Sequence, residues 1–332
     1  MKLVSIIIPN YNGEKTIVDT IQSVINQTYR KWEVIVIDDG SSDNSEFAVK
    51  SIDDSRIRFI KRPKNRKKGG NTCRNIGIEN ALGNYVIFLD ADDLLADYCL
   101  EQRVLYMQQN PELDFAVFNM YRFVDTLKCI ELHTKLNTDD PLPYFLGLNC
   151  LWQTTCPIWK KEIVEKYKFN EDFLRLQDPE MIVRVLWGTN LKYQLVKNSK
   201  PDAFYRIIQK NKSKVNQKRK VTSNYNIPFK QFVDEFYPLG NSDILFEKSK
   251  KSLFYQLSMH HILAADKDNI DNYKECIIKI APHLSLIDKV IFKCCINMTF
   301  MYVAKNKIIR KICSLYIPKV LNKIWGKMSI NY

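Results

Sequence analysis

The chain has 332 residues, 45% of them hydrophobic and 26% charged, a globular balance that excludes disorder and low complexity as its main theme. Its nine cysteines include no CxxC pair, which argues against a disulfide scaffold or zinc ribbon and favours a reducing compartment. The net charge is +13, and Lys289 to Tyr332 holds nine bases and no acidic residue, a segregation that points to an anionic partner for the tail. The apolar stretch Leu3 to Ile8 is too short for the hydrophobic region of a signal peptide. No run approaches the roughly 18 apolar residues of a spanning helix, so the expected location is cytoplasmic.

In chain order, Val4 to Ile8 is a short β-branched run that predicts a buried parallel strand ending at Pro9. Thr16 to Gln27 carries Ile17, Ile21, Val24 and Ile25 at helical spacing. Glu33 to Ile37 is a second strand, stopping at Asp38-Asp39-Gly40-Ser41-Ser42-Asp43, a turn that also caps the next helix. Ile57 to Ile60 is a third strand, Gly70 to Ala81 a helix stopped by Gly83-Asn84, and Tyr85 to Leu89 a fourth strand ending in Asp90-Ala91-Asp92-Asp93. A helix over Tyr98 to Gln109 and a fifth strand over Phe115 to Phe118 follow. Repeated β-α units predict a mostly parallel sheet flanked by helices, with ligands bound beyond the carboxyl ends of its strands. Past about Asn224 the periodicity turns helical, punctuated by Pro228, Pro238, Pro282 and Pro318.

Three polar clusters end these strands and are expected on one rim. Carboxylates at Asp90 and Asp92 offer hard oxygens to Mg²⁺ or Mn²⁺; as a lone motif they read equally well as a surface turn. Asp38-Asp39 can accept from a nucleobase or ribose, Tyr11 offers a face for stacking, and Arg74 beside Gly69-Gly70 can reach a base or phosphates.

The segments Ser5 to Asn12, Gln27-Thr28-Tyr29, Asp38 to Asp43, Gly70 to Gly77 and Gly83 to Asp93, in that order and spacing, give residues 3–124 a specific resemblance. They resemble the nucleotide-binding half of a family 2 glycosyltransferase of the GT-A fold. The resemblance implies an α/β, Rossmann-like sheet and a nucleotide-sugar pocket formed by Pro9, Tyr11, Glu14, Asp39, Arg74, Asp90 and Ala91. It also implies a DxD pair, Asp90 and Asp92, for Mn²⁺ or Mg²⁺, with Asp92 as the direct ligand, and an inverting mechanism whose base is an Asp in the second half. Two acidic pairs compete there, Glu171-Asp172 and Asp178 with Glu180. Asp178 is favoured because Pro179 suits a first helical position and makes Asp178 an N-cap; the competing reading is a cap and nothing more. Gln177 stands where the family commonly has Glu.

Trp152 and Trp159 read either as a sugar platform or as core. Tyr205-Arg206 lies where relatives keep a basic group facing the diphosphate. The cluster Lys61 to Lys68 reads as an anion-attracting or a solvated loop. Residues 1–222 are expected to form the catalytic domain, divided into a nucleotide half (1–124) and an acceptor half (125–222), with residues 223–332 as a basic helical extension. Lys289 to Trp325 mixes bases with apolar residues, as an interfacial segment on an anionic membrane does, or a helical subdomain with a basic face. Nucleic acid is not expected, because no known module accompanies the charge.

The expected function is metal-dependent, inverting transfer from a nucleoside-diphosphate sugar, UDP-sugar favoured, to a glycan or lipid-linked acceptor in polysaccharide biosynthesis, on the cytoplasmic face of the inner membrane. A nucleotidyltransferase would show a Gly-rich phosphate loop where Pro9 to Gly13 stands. An inactive membrane-associated scaffold of the same fold would be suggested by loss of Asp92 or Asp178, and both are present.

Overall fold

A computed structural model describes residues 1–124, 128–187, 191–207 and 226–237 together with Ser249 and Cys276. The chain divides into two compact units, residues 1–139 with 151–209, and residues 140–150 with 210–332.

The first unit begins with alternating strands and helices: β1 (Val4–Asn10), α1 (Ile17–Ile25), β2 (Trp32–Asp38), α2 (Ser45–Lys50), β3 (Ile57–Lys61), α3 (Gly70–Asn80) and β4 (Tyr85–Phe88). β1 pairs in parallel with β2 and β4, and β2 with β3. Ile6, Ile7 and Ile8 of β1 and Val34 to Ile37 of β2 are fully buried, as strands covered on both faces must be.

Pro9 continues the first strand rather than ending it, pairing in register with Ile37. The last β4 partner of β1 is Ile7, whose carbonyl accepts from Leu89 N. Hydrogen bonds alternate sides along a parallel strand, so the N–H that Pro9 lacks would point to the β4 side, past the end of that pairing.

Next come β5 (Leu94–Leu95), α4 (Cys99–Gln109), β6 (Phe115–Val117), β7 (Met120–Val124) and β8 (Lys128–Leu132). After α5 (Leu142–Leu146), which belongs to the second unit, the first unit resumes with β9 (Pro157–Lys160), α6 (Lys161–Lys166), α7 (Gln177–Trp187), β10 (Tyr193–Leu195) and β11 (Ala203–Arg206). The main sheet has the order β10-β6-β9-β4-β1-β2-β3, and a second sheet the order β5-β11-β7-β8. β9 runs antiparallel to both its neighbours, β4 and β6, so the fifth predicted strand does not adjoin the fourth. Trp159 of β9 is 1% exposed and packs on the Phe115 ring at 4.3 Å, and Trp152 is equally enclosed. The sugar-platform reading of these two indoles is corrected: neither presents a face.

α3 lies close on β1 at Gly77. A Cβ there would stand 2.2 Å from Ile7 Cγ2 and 3.1 Å from Cγ1, and Ile7 has no free volume to move into. Gly77→Ala is expected to destabilise the unit by about 1–3 kcal/mol through overpacking, read as a lowered urea midpoint with an unchanged slope.

In the second unit, α8 (Asn226–Phe236) agrees with the helical reading of that stretch, and Tyr237 Oη donates to Leu146 O at 3.1 Å. The basic segment Lys289 to Tyr332 lies outside the described residues. Among the described residues no helix is long and apolar enough to cross a membrane.

Candidate active site

The carboxyl ends of β1, β2 and β4 meet on one rim, as the parallel register requires. Asn10 Nδ2 donates to Asp38 Oδ1 at 3.0 Å, and Asp39 N to Asn10 O at 2.8 Å. The two adjacent aspartates have separate tasks. Asp38 builds the turn, accepting on Oδ2 from Gly40 N (3.1 Å) and Ser41 N (3.0 Å) and on Oδ1 from Ser41 Oγ (2.5 Å). Asp39 accepts from Arg62 Nε at 2.6 Å and Gly69 N at 3.2 Å. Tyr11, 53% exposed, offers its ring at the end of β1, with Lys68 Nζ 4.0 Å from the ring centroid.

Glu14 faces a different group. Its Oε2 accepts from Asn44 N at 2.7 Å, while its own N–H donates to Asp43 Oδ2 at 3.0 Å, so it ties the β1 loop to the start of α2. Asp43 also accepts from Ser45 N at 3.0 Å, a local turn ahead of α2; the expected side-chain cap is not formed, since the N-cap residue Asn44 makes no capping hydrogen bond.

The turn Asp90-Ala91-Asp92-Asp93 is fastened from two sides. Thr20 Oγ1 on α1 donates to Ala91 O (3.0 Å) and Asp93 O (2.9 Å). From β11, Arg206 N donates to Asp93 Oδ1 (3.0 Å), and Arg206 Nε to Asp92 O (2.7 Å). Asp92 is half-buried, and its carboxyl is pushed up by burial and then by the neighbouring Asp90 charge. Burial also pushes the Tyr205 hydroxyl up to about 12, reinforced by the charges of Asp93, Asp92, Asp90 and Asp178; the ring of this tyrosine stacks on His133 at 5.0 Å.

Arg74 joins the two halves of the site. It is 5% exposed; Nη2 donates to Asp90 Oδ1 at 2.8 Å, and Nη1 to Gln177 Oε1 at 2.9 Å. Gln177 opens α7, so this bond sets the start of the helix that carries Asp178. The predicted N-cap position of Asp178 is corrected: α7 starts at Gln177, two residues before the expected first helical position, and Asp178 and Pro179 both lie in its first turn. The cause is Leu176, which takes a left-handed φ of +57° and accepts from Glu180 N at 3.1 Å, so Leu176 does the work of the cap. Pro179 remains in the first turn, where its missing N–H has no helical partner to lose. Asp178 bonds to Thr154; burial pushes its carboxyl up, Arg74 pulls it down and Asp90 adds to the rise.

The basic loop is exposed at Lys61, Lys64, Lys67 and Lys68, and four of its bases pair with carboxylates. Lys61 pairs with Glu46, Arg62 with Asp39, Arg66 with Glu79 and Glu171, and Lys67 with Asp172. The rival acidic pair Glu171-Asp172 is thus taken up by this loop.

The donor set fits a divalent cation. Asp90 and Asp92 are hard-oxygen ligands, the Asp90 charge adds to the rise of the Asp92 carboxyl, and Asp93 Oδ2 is buried with no partner among the described residues. Those residues hold no group of three or more metal-ligating side chains, so the remaining positions of such an ion would fall to water or substrate oxygens. Sequence reasoning missed Thr20 and Thr154, whose local sequence carries no signal. It noted Gln177 only as a departure from a pattern.

Residues 5–166 match the family model described as glycosyl transferase family 2. Over 108 residues the chain is 44% identical to the UDP-Glc:alpha-D-GlcNAc-diphosphoundecaprenol beta-1,3-glucosyltransferase WfgD of Escherichia coli, covering 32% of this chain and 42% of that protein. The chain spans less than half the length of the first curated relatives it matches. The crystal structure of Staphylococcus aureus TarS 1-349 in complex with UDP superposes with a TM-score of 0.60 at 16% identity, over 86% of this chain and 81% of that one. The mannosyltransferase PcManGT from Pyrobaculum calidifontis in complex with GDP-Man and Mn²⁺ gives 0.52 at 16% identity, over 98% and 88%. At these identities the structural likeness is one of fold, and the fold is GT-A. Over residues 5–166, just under half of its length, the chain matches glycosyltransferase family 2.

Proposed function

We propose that this protein transfers a sugar, with inversion, from a nucleoside-diphosphate sugar to a hydroxyl of a glycan or lipid-linked glycan. The observation that carries the reading is the Arg74 bridge. One buried guanidinium holds Asp90, at the end of β4, and Gln177, next to Asp178, so a carboxylate suited to proton removal stands beside carboxylates suited to a metal-bound diphosphate.

Asp39 and Tyr11 receive the base, with Pro9 in the pocket wall and Ala91 in the turn beneath the diphosphate. Arg74 and Arg206 supply positive charge where the diphosphate leaves. Asp178 takes the proton of the attacking hydroxyl, a task favoured by a carboxyl that burial has pushed up. Mn²⁺ or Mg²⁺ would be held by Asp92, which has no ion pair among the described residues, and by Asp90; when bound it supplies Lewis-acid neutralisation of the departing diphosphate. A UDP-sugar donor and a lipid-linked acceptor are supported by the likeness to WfgD, a UDP-Glc:alpha-D-GlcNAc-diphosphoundecaprenol glucosyltransferase. The basic segment Lys289 to Lys327 suits such an acceptor at an anionic membrane face.

Calorimetric titration of UDP, with Mn²⁺ and then with EDTA, tests the reading. Binding is expected with the metal and is expected to weaken at least tenfold with EDTA or in Asp92→Asn. UDP binding indifferent to both would contradict the assignment of Asp90 and Asp92.

A further inference from the structure

We propose that Arg62 is a positioning residue for the base pocket: together with the Gly69 N–H, it fixes which oxygen of Asp39 meets the ligand. The inference rests on the nucleotide site proposed above and adds what sets its base selectivity.

Arg62 leaves β3 directly, its N–H donating to Asp38 O at 2.8 Å. Its side chain is 14% exposed, and Nε donates to Asp39 Oδ1 at 2.6 Å. Nη1 donates to Pro63 O (3.1 Å) and Arg66 O (2.5 Å), which keeps the guanidinium from swinging away. Gly69 N ends on the same Oδ1 at 3.2 Å. The φ of +142° at Gly69 is open to glycine and strained for other residues. Both hydrogen bonds to the carboxylate therefore converge on Oδ1, and among the described residues Oδ2 has no partner.

A carboxylate held this way presents one oxygen that can only accept. It suits a base with a ring N–H, such as uracil at N3 or guanine at N1. It opposes cytosine, whose N3 is itself an acceptor. The clamp also gives the amide a direction. Arg62 and Gly69 both donate, so in Asp39→Asn the amide oxygen must stay on the clamp and the NH₂ group must turn to the ligand. The site then becomes a donor and favours cytosine. Adding Arg62→Met removes the shorter of the two donor bonds, so the amide is held only by Gly69 N and can rotate more readily.

The test is calorimetric titration of the full chain, with Mn²⁺ present, using UDP, GDP and CDP. The wild type is expected to bind UDP or GDP at least about tenfold more tightly than CDP. Which of the two binds identifies the base. Asp39→Asn is expected to bind CDP more tightly than the wild type does and to lose the original preference. Arg62→Met is expected to reduce the preference about tenfold by weakening only the ring N–H bases, with Arg62→Lys between, because it keeps the charge without the fork. Combining Arg62→Met with Asp39→Asn is expected to restore part of the UDP or GDP binding. The proposal is overturned if Arg62→Met leaves the preference intact or weakens all three ligands equally, or if the double variant behaves as Asp39→Asn alone. A wild type that binds none of the three ligands removes the nucleotide site itself, and this inference with it.

Discussion

Asp178→Asn is expected to lower turnover about 10²- to 10⁴-fold, measured as UDP released from whichever UDP-sugar the wild type consumes, while UDP affinity stays within twofold. Stability at pH 7 should rise rather than fall. Burial pushes the Asp178 carboxyl up, so the folded state holds this proton more tightly than the unfolded state does. Its charged form is a cost that is absent below the unfolded value and is fully present above the folded one. Removing the charge therefore helps at neutral pH and does nothing in acid. The same shift places the acidic limb of the wild-type rate profile above the ordinary carboxylate range, since the base must be ionised to act. A variant that lost stability along with activity would show that Asp178 serves the helix, as a capping group does, rather than the chemistry.

The second large effect lies outside the cleft. Arg103 on α4 and Asp202, just before β11, are both fully buried. Arg103 Nε and Nη2 donate to the two carboxylate oxygens at 2.9 and 2.6 Å, and Nη1 to Thr155 O at 2.8 Å. Removing one partner leaves an uncompensated buried charge, so Arg103→Met is expected to cost about 3–5 kcal/mol in urea denaturation. Replacing both, Arg103→Met with Asp202→Leu, should recover much of that loss, because a buried pair adds little over apolar packing once its desolvation is counted. The ion pair also anchors the strand that brings Tyr205 and Arg206 to Asp92 and Asp93, so the single variant should lose metal-dependent UDP binding at urea concentrations where the wild type keeps it. If the double variant were no more stable than the single one, Asp202 would owe its place to its hydrogen bonds with Gln102 and the backbone rather than to the Arg103 charge.

The four parallel strands and the converging rim were legible because buried strands leave uninterrupted apolar runs and each run stops at a polar turn. The local motifs marked Asp39, Arg74 and Asp90 as site residues; Arg74 meets Asp90 through a hydrogen bond, whereas Asp39 bonds to Arg62 and Gly69. Non-local pairing was less legible. β9 enters between β4 and β6 from later in the chain, and nothing in Pro157 to Lys160 states its partners. Arg103 and Asp202, 99 positions apart in sequence, each look like surface residues until paired. The start of α7 was misplaced by two residues because Leu176, at positive φ, stands just before the helix and accepts its first hydrogen bond, a conformation with little signature in sequence. The bases between Lys61 and Lys67 looked free because their carboxylate partners include Glu171 and Asp172, a hundred residues away.

The most direct measurement is a crystal of the full chain soaked with UDP and Mn²⁺, with an anomalous difference map at the manganese edge. The account predicts one manganese peak at the Asp92 carboxylate, the diphosphate between it and Arg206, and the base against Tyr11 and Asp39 with Asp178 facing the open side of the diphosphate. Ordered UDP away from Asp39 and Asp92, or manganese bound without the diphosphate beside it, would contradict the assignment of this cleft.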